Sequence, residues 1–165
     1  MDMTYQSTTT LAHIRAASPC REGWEKLLTH LGKTKADDEP LPLLTVLDSN
    51  GLDDALWVLS FAMPDDRLAR HFQAWCAEQV LHLFEAERPN DTRVRGQIAM
   101  LRNDDATDKD RAAARDAAWD AAGAAARASA WAAAGAAAWD AAWDAAGAAA
   151  RDAQEKQLRK MIGGV

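Results

Sequence analysis

Several residue classes that usually announce a function are scarce in this chain. Among 165 residues there are two cysteines, one tyrosine and three phenylalanines. Cys20 and Cys76 form no CxxC pair, which excludes a disulfide framework or a thiol redox motif. Each is flanked by helix-like sequence, so both are expected to be reduced and part of the core. An excess of basic residues is also missing. The net charge is −6 and the pI about 5.1, which argues against a general nucleic-acid binder. No uncharged apolar run is long enough to span a bilayer. The Ala-rich tract carries Asp140 and Asp144, each costing roughly 3 kcal/mol at a membrane centre. The opening MDMTYQSTTT has neither the basic nor the apolar region of a signal peptide. A cytoplasmic protein without membrane contact is expected. No Gly-rich loop follows a strand, so a phosphate cradle is not indicated.

What is present reads as helix. The length suits one domain able to bury a core without staples. Residues 1–10 are polar and expected to be flexible. Trp24, Leu27, Leu28 and Leu31 fall on one face of a helix from Pro19 to Leu31, which Gly32 ends. KTKADDEPLP (Lys33–Pro42) is a charged loop closed by two prolines, and LLTVL (Leu43–Leu47) suits a brief buried helix better than a strand. Asn50-Gly51 gives it a left-handed cap. Asp53 and Asp54 open a helix to about Ala62, and Pro64 breaks the chain. Asp65 or Asp66 starts a helix to about Glu87, Thr92–Asn103 forms another, and Thr107 or Asp108 caps the last helical region. No credible set of strands is visible. The expected fold is all-α, a bundle or short solenoid of helical hairpins. Residues 11–165 form one domain, with short amphipathic helices over 11–103 and Ala-rich repeat helices over 107–162 packed on them.

From Arg111 to Gln154 the chain divides into eleven tetrads, each beginning with Arg, Trp or Gly, such as WDAA, GAAA and RDAA. A twelve-residue order aligns Trp119, Trp131 and Trp143 with Gly123, Gly135 and Gly147. A helix turns 100° per residue, so each four-residue step overshoots a turn by about 40°. Taking Trp119 as zero, Trp131 lies near ~120°, Trp139 near ~200° and Trp143 near ~240°. One straight helix cannot aim four rings at one partner. Either the tract breaks, near a glycine, or it stays one helix with protein around much of it. A break is favoured, because an unbroken helix of these tetrads would run about 65 Å. Alanine supplies propensity and a thin cylinder. Glycine suggests close approach or helix ends, and tryptophan suggests buried area. The like-charged pairs Asp116–Asp120 and Asp140–Asp144 would gain from arginines on an adjacent helix or from a basic partner.

Chemistry-bearing residues are sparse and have plain structural readings. His71, Cys76, Glu78 and His82 share one helix without the ligand set of a metal site. Nothing marks Cys20 or Cys76 as an activated nucleophile. LDSNGLDDALW (Leu47–Trp57) lacks calcium-loop spacing and is read as helix capping by Asn50, Gly51, Asp53 and Asp54. Arg93, Arg95, Arg102, Lys109, Arg111 and Arg115 are read as a solvated face shared with nearby acids. The tryptophans are read as core rather than as stacking platforms for bases. No catalytic residue, cofactor or metal is expected. Met1–Ala106 holds 17 acids and 11 bases, whereas Thr107–Val165 holds 8 of each. Any acidic face therefore belongs to the first part of the chain; solubility is its plainer reading, and steering of a basic partner the functional one.

Two blocks, SPCREGWEKLLTHLGKTKADDEPLPLLTVLDSNGLDDALWVLSF (Ser18–Phe61) and the tetrad tract with its preceding DATDKDRAAARDAAWDAA (Asp105–Ala122), resemble an Ala/Trp-repeat immunity-protein family of bacteria, phages and prophages. The resemblance covers most of the chain beyond residue 10. It implies a non-enzymatic protein that binds and neutralises a protein target. That target is a toxin or, given phage carriage, a bacterial defence effector such as CRISPR–Cas, which would make the chain an anti-CRISPR or anti-defence protein. The expected contacts are Asp37, Asp38 and Glu39 on their loop, with Trp139 and Trp143 where neighbouring tetrads place two rings close together. The alternatives are a structural or homo-oligomerisation module without inhibitory activity, and an enzyme using His71, His82 or Cys76.

Overall fold

The computed structural model describes residues 5–132 and 139–163, side chains excepted at 122–146. The described residues form eight helices and one two-stranded sheet, an all-α architecture. The elements are β1 (Thr8–Thr10), α1 (Leu11–Ala16), α2 (Arg21–Leu31), β2 (Pro40–Pro42), α3 (Leu43–Asn50), α4 (Leu52–Phe61), α5 (Arg67–Glu87), α6 (Arg93–Arg102), α7 (Asp108–Ala132) and α8 (Trp139–Gly163). They divide into two compact units, Met1–Ala69 with Arg151–Val165, and Arg70–Ala150. The division falls inside α5 and α8 and does not follow the composition shift at Thr107. Each unit carries a net charge of −3, with 13 acids and 10 bases in one and 12 and 9 in the other.

In the first unit β1 pairs antiparallel with β2, Thr9 facing Leu41. This corrects the expectation of no strands. Two prolines read locally as loop punctuation, yet they sit at the ends of an edge strand where a missing N–H costs little. The buried Thr9 donates through Oγ1 to the carbonyl of Ala62, and Leu43 N donates to Ser7 O at 2.8 Å. Thr10 caps α1 by accepting from His13 N at 3.1 Å. That six-residue helix is too short to show a period, so the sequence gives it no bounds within the helical stretch expected from residue 11. Gly32 ends α2 in the left-handed region at φ 64°. Gly51 has φ 95° with an extended ψ. It ends α3 and opens α4, a turn that only glycine adopts without strain.

The core of this unit gathers Leu11 and Ile14 of α1, Leu27 of α2, Leu43, Val46 and Leu47 of α3, and Ala55, Val58 and Leu59 of α4. Leu158 of α8 joins them at 0% exposure. Each fully buried leucine contributes about 1.5–3 kcal/mol by removal from water. Two ion pairs accompany Leu158: Arg159 with Asp48 at 2.6 Å and Arg151 with Asp53 at 2.5 Å. The end of the repeat region thus completes a unit built mostly from the first 69 residues.

In the second unit α5 and α6 run antiparallel. Arg102 pairs with Glu78 at 2.6 Å, and Arg95 pairs with Glu85 about two turns further along each helix. Helix α7 lies along α6. Its buried residues are Ala118 and Ala121, flanked by half-buried Ala114 and Ala117 at helical spacing. Trp119 lies on the opposite side and is 78% exposed. The expectation of a buried ring fails here. Small alanines let two helices approach closely, and an indole on that stripe would hold them apart. Asp120 of α7 acts electrostatically on Arg93 of α6, the kind of inter-helix compensation expected for the Asp116–Asp120 pair. A side chain built on Gly147 would meet no atom within 4 Å, so this glycine marks neither close approach nor a break. The segment that decides whether the tract breaks or bends, residues 133–138, lies outside the described residues.

Asp91 shows how short-range charge shapes the α5–α6 turn. Its carboxylate accepts from Arg93 Nη2 at 2.6 Å, Nε at 2.9 Å and backbone N at 3.2 Å. The Arg93 side chain is the main cause that holds the Asp91 carboxyl at about 2, against an ordinary 3.8. Because the folded value is depressed, its stabilisation is complete above 3.8 and is lost as pH falls through about 2. An NMR titration should find the Asp91 carboxyl titrating near that value, and Arg93→Ala should return it to the ordinary range.

Candidate functional site

The first unit contains a half-open cavity of about 210 Å³ between α1, α2, α3 and α4. Buried Ile14, Leu27, Val46 and Val58 line it. Half-buried Trp24 and Trp57 flank it, and Cys20, Asn50, Asp53 and Asp54 bring polar atoms to it. Drug-sized ligands and cofactors occupy roughly 300–1,000 Å³. This volume suits a single side chain.

Local structure builds the polar edge. Cys20 ends the extended segment before α2 and caps the helix with its sulfur, accepting from Gly23 N at 3.4 Å. Cys20 is exposed, which corrects the expectation of a core cysteine. Cys76 is half-buried, and desolvation pushes its thiol above the ordinary value. An alkylating reagent should therefore label Cys20 well before Cys76 near neutral pH, as peptide mass analysis would read.

Asn50 links the helices around the cavity. Ser49 Oγ donates to Asn50 Oδ1 at 2.8 Å, and the acceptors facing Nδ2 fix the amide orientation. Asn50 Nδ2 then donates to Gly23 O at 2.8 Å and to Asp54 Oδ2 at 2.7 Å. Lys26 Nζ donates to the Asn50 carbonyl at 3.3 Å. A Cβ at Gly23 would lie 2.7 Å from Asp54 Oδ2, so a larger residue there would displace the Asp54 carboxylate. The capping reading holds for Gly51 and is corrected for Asn50. No side chain caps α4 by hydrogen bond, and the Asn50 amide ties α3 to α2 and α4 instead. Asp53 and Asp54 do fall in the first turn of α4, where carboxylates favour the helix dipole.

The two adjacent aspartates differ in their partners. Both oxygens of Asp53 accept from Arg151 Nη2. Among the described residues, Asp54 accepts from the Asn50 amide and has no cation within ion-pair distance. Arg15 lies over Trp24 with its guanidinium carbon 5.6 Å from the ring centre. Trp57 meets Phe61 one turn along α4 at 5.7 Å between ring centres, and Phe61 is 67% exposed. Apolar surface therefore continues from the cavity onto the outside of the unit.

The residues expected from sequence to bind a partner lie elsewhere. On the Lys33–Pro42 loop, Lys33 Nζ donates to Asp37 at 2.5 Å and to Glu39 at 2.7 Å. The Lys33 ammonium is the main cause that lowers the Asp37 carboxyl, so part of this acidic cluster is already neutralised within the chain. Asp38 beside it is exposed. Trp139 and Trp143 begin α8, but their side chains lie outside the described residues. In the second unit Val80, Leu83 and Trp119 are exposed. Five of the six basic residues singled out there are paired: Arg93 with Asp91, Arg95 with Glu85, Arg102 with Glu78, Arg111 with Asp108 and Arg115 with Asp116. This fits a solvated, paired face. His71 is buried, with Nε2 3.2 Å from Asp104, which also accepts from Arg70 Nη2 at 3.1 Å. These groups join the start of α5 to the α6–α7 turn.

Sequence reasoning did not find the cavity. The signals were Trp24 and Trp57, each read only as part of its own helix face. Among the described residues no group of three His, Cys, Asp or Glu is placed to hold a metal, and no helix is long and apolar enough to cross a membrane. Comparison with protein-family models, with curated proteins and with solved structures finds no match to this chain.

Proposed function

We propose that this chain is a non-enzymatic inhibitor that binds and neutralises a protein target, a toxin or a bacterial defence effector. The observation that carries the reading is the cavity flanked by Trp24 and Trp57, sized for one side chain and continuous with exposed Phe61. Interfaces draw most of their energy from a few anchor side chains seated in such pockets, and an apolar rim excludes water around them. The resemblance of Ser18–Phe61 to immunity proteins supports the same reading, since that block contributes most of the cavity lining. Affinity capture from the natural host, or from its phage-infected cells, tests it. One stoichiometric effector or toxin, losing activity as the protein is added, is the expected result. Recovery of self-associated protein alone would reject the reading.

Exposed Trp119 favours a second reading, a homo-oligomerisation module. The ring stands opposite the alanine stripe that meets α6, so it is free to meet another molecule. Light scattering decides. A stable dimer abolished by Trp119→Ala supports it, and a monomer at high concentration rejects it.

A further inference from the structure

The cavity in the first unit has a chemical bias that its volume does not convey. Its lining is mostly aliphatic and indole. It contains one carboxylate, Asp54, that is half-buried and supported by an amide rather than a cation among the described residues. Its neighbour Asp53 is paired with Arg151. An anionic oxygen at the edge of an apolar pocket favours a donor with positive charge, and indole rings favour the same charge through their faces. Arg15, an exposed residue, places a guanidinium over the Trp24 ring, so this indole already accepts that charge. The aliphatic stem of an arginine or lysine would lie along the apolar lining while its head reaches the carboxylate. The missing side chain at Gly23 leaves room for the Asp54 carboxylate and the Cys20 sulfur.

We infer that the cavity receives the side chain of an arginine or lysine presented by a protein partner, with Asp54 as the charge partner and Trp24 and Trp57 as the apolar clamp. This rests on the target-binding reading above and names the chemistry its anchor residue would have. The net charge of −6 favours approach of such a basic segment.

The test separates the two ideas. N-acetyl-arginine methylamide and its uncharged analogue N-acetyl-norleucine methylamide would be titrated into the whole protein, with amide and indole NMR signals as the readout. Saturable shifts at Gly23, the Trp24 indole and the Asn50 side-chain amide are expected with the arginine probe. Asp54→Asn keeps the shape and an acceptor for Asn50, and should weaken that probe about tenfold, roughly the effect of one charge-assisted hydrogen bond. The norleucine probe should be unaffected by the substitution. A bulky maleimide on Cys20 should abolish binding of both probes. Equal binding of the two probes, an arginine response unchanged in Asp54→Asn, or no saturable shift at these positions would each overturn the inference. A captured partner retained equally well after Cys20 is blocked would also overturn it while leaving target binding intact. Failure to capture any partner, with the arginine probe still bound, would reject the target-binding reading instead.

Discussion

Leu158→Ala is expected to lower the stability of the first unit by about 2–5 kcal/mol, the range for a buried leucine truncated to alanine. Leu158 is fully buried although its helix emerges from a tract rich in alanine. Its side chain enters a core otherwise supplied by residues before 70, about a hundred positions earlier in the chain. Removing it leaves a void between rigid neighbours, and the flanking Arg151–Asp53 and Arg159–Asp48 pairs cannot compensate. Both are largely exposed, and exposed pairs contribute about 0–1 kcal/mol each. Urea titration followed by the indole signals of Trp24 and Trp57 would read this unit separately from the other. Asp152→Ala, an exposed change on the same helix, should shift stability by no more than about 0.5 kcal/mol. Equal effects of the two substitutions would show that α8 does not seal this core.

Asn50→Asp is expected to cost about 1–3 kcal/mol at neutral pH, although it exchanges one atom. The amide nitrogen that serves both Gly23 O and Asp54 Oδ2 becomes an oxygen. Two acceptors lose their donor, and a second carboxylate stands at hydrogen-bond distance from the first. Like charges so close raise the pKa of the pair in the folded state. The deficit should therefore be small below the ordinary carboxylate value near ~4 and grow as pH rises through the elevated folded value. Asn50→Ala also removes the bridging donor but adds no charge, so its deficit should stay flat across that range. Parallel behaviour of the two variants with pH would contradict the assigned role of the amide. The cavity should report the same event, with Cys20 alkylation changing rate as Gly23 loses its anchor.

Much of the fold can be read from local chemistry. The helix starting after Asp65 follows from a side chain that accepts from Arg67 N at 3.0 Å. The stop at Gly32 follows from a left-handed φ, and α3 follows from an apolar run too short and too crowded by turn residues to be anything longer. These signals lie within a few residues of the structure they cause. The β1–β2 pair escaped because its partners lie some thirty positions apart and each is only three residues long. The cavity escaped for a related reason. Trp24 and Trp57 each fit an amphipathic period, and a period says which face is apolar without saying whether a neighbour fills the space opposite.

Asn50 is the sharper example. Before an aspartate-rich helix start, its sequence context fits a cap as well as it fits a tether. The choice depends on whether a carbonyl of α2 comes within reach, which local sequence does not specify.

The repeat divides along the same line. Its alanine content and four-residue step by themselves determine that the tract is helical and that its first positions wind around the helix by about 40° per step. Which face is buried was decided by the partner. Helix α7, which packs along α6, buries Ala118 and Ala121 and leaves Trp119 in solvent on its other side. Helical propensity is a property of each residue and its near neighbours. Burial belongs to the surface a distant segment brings, and only the tertiary structure supplies it.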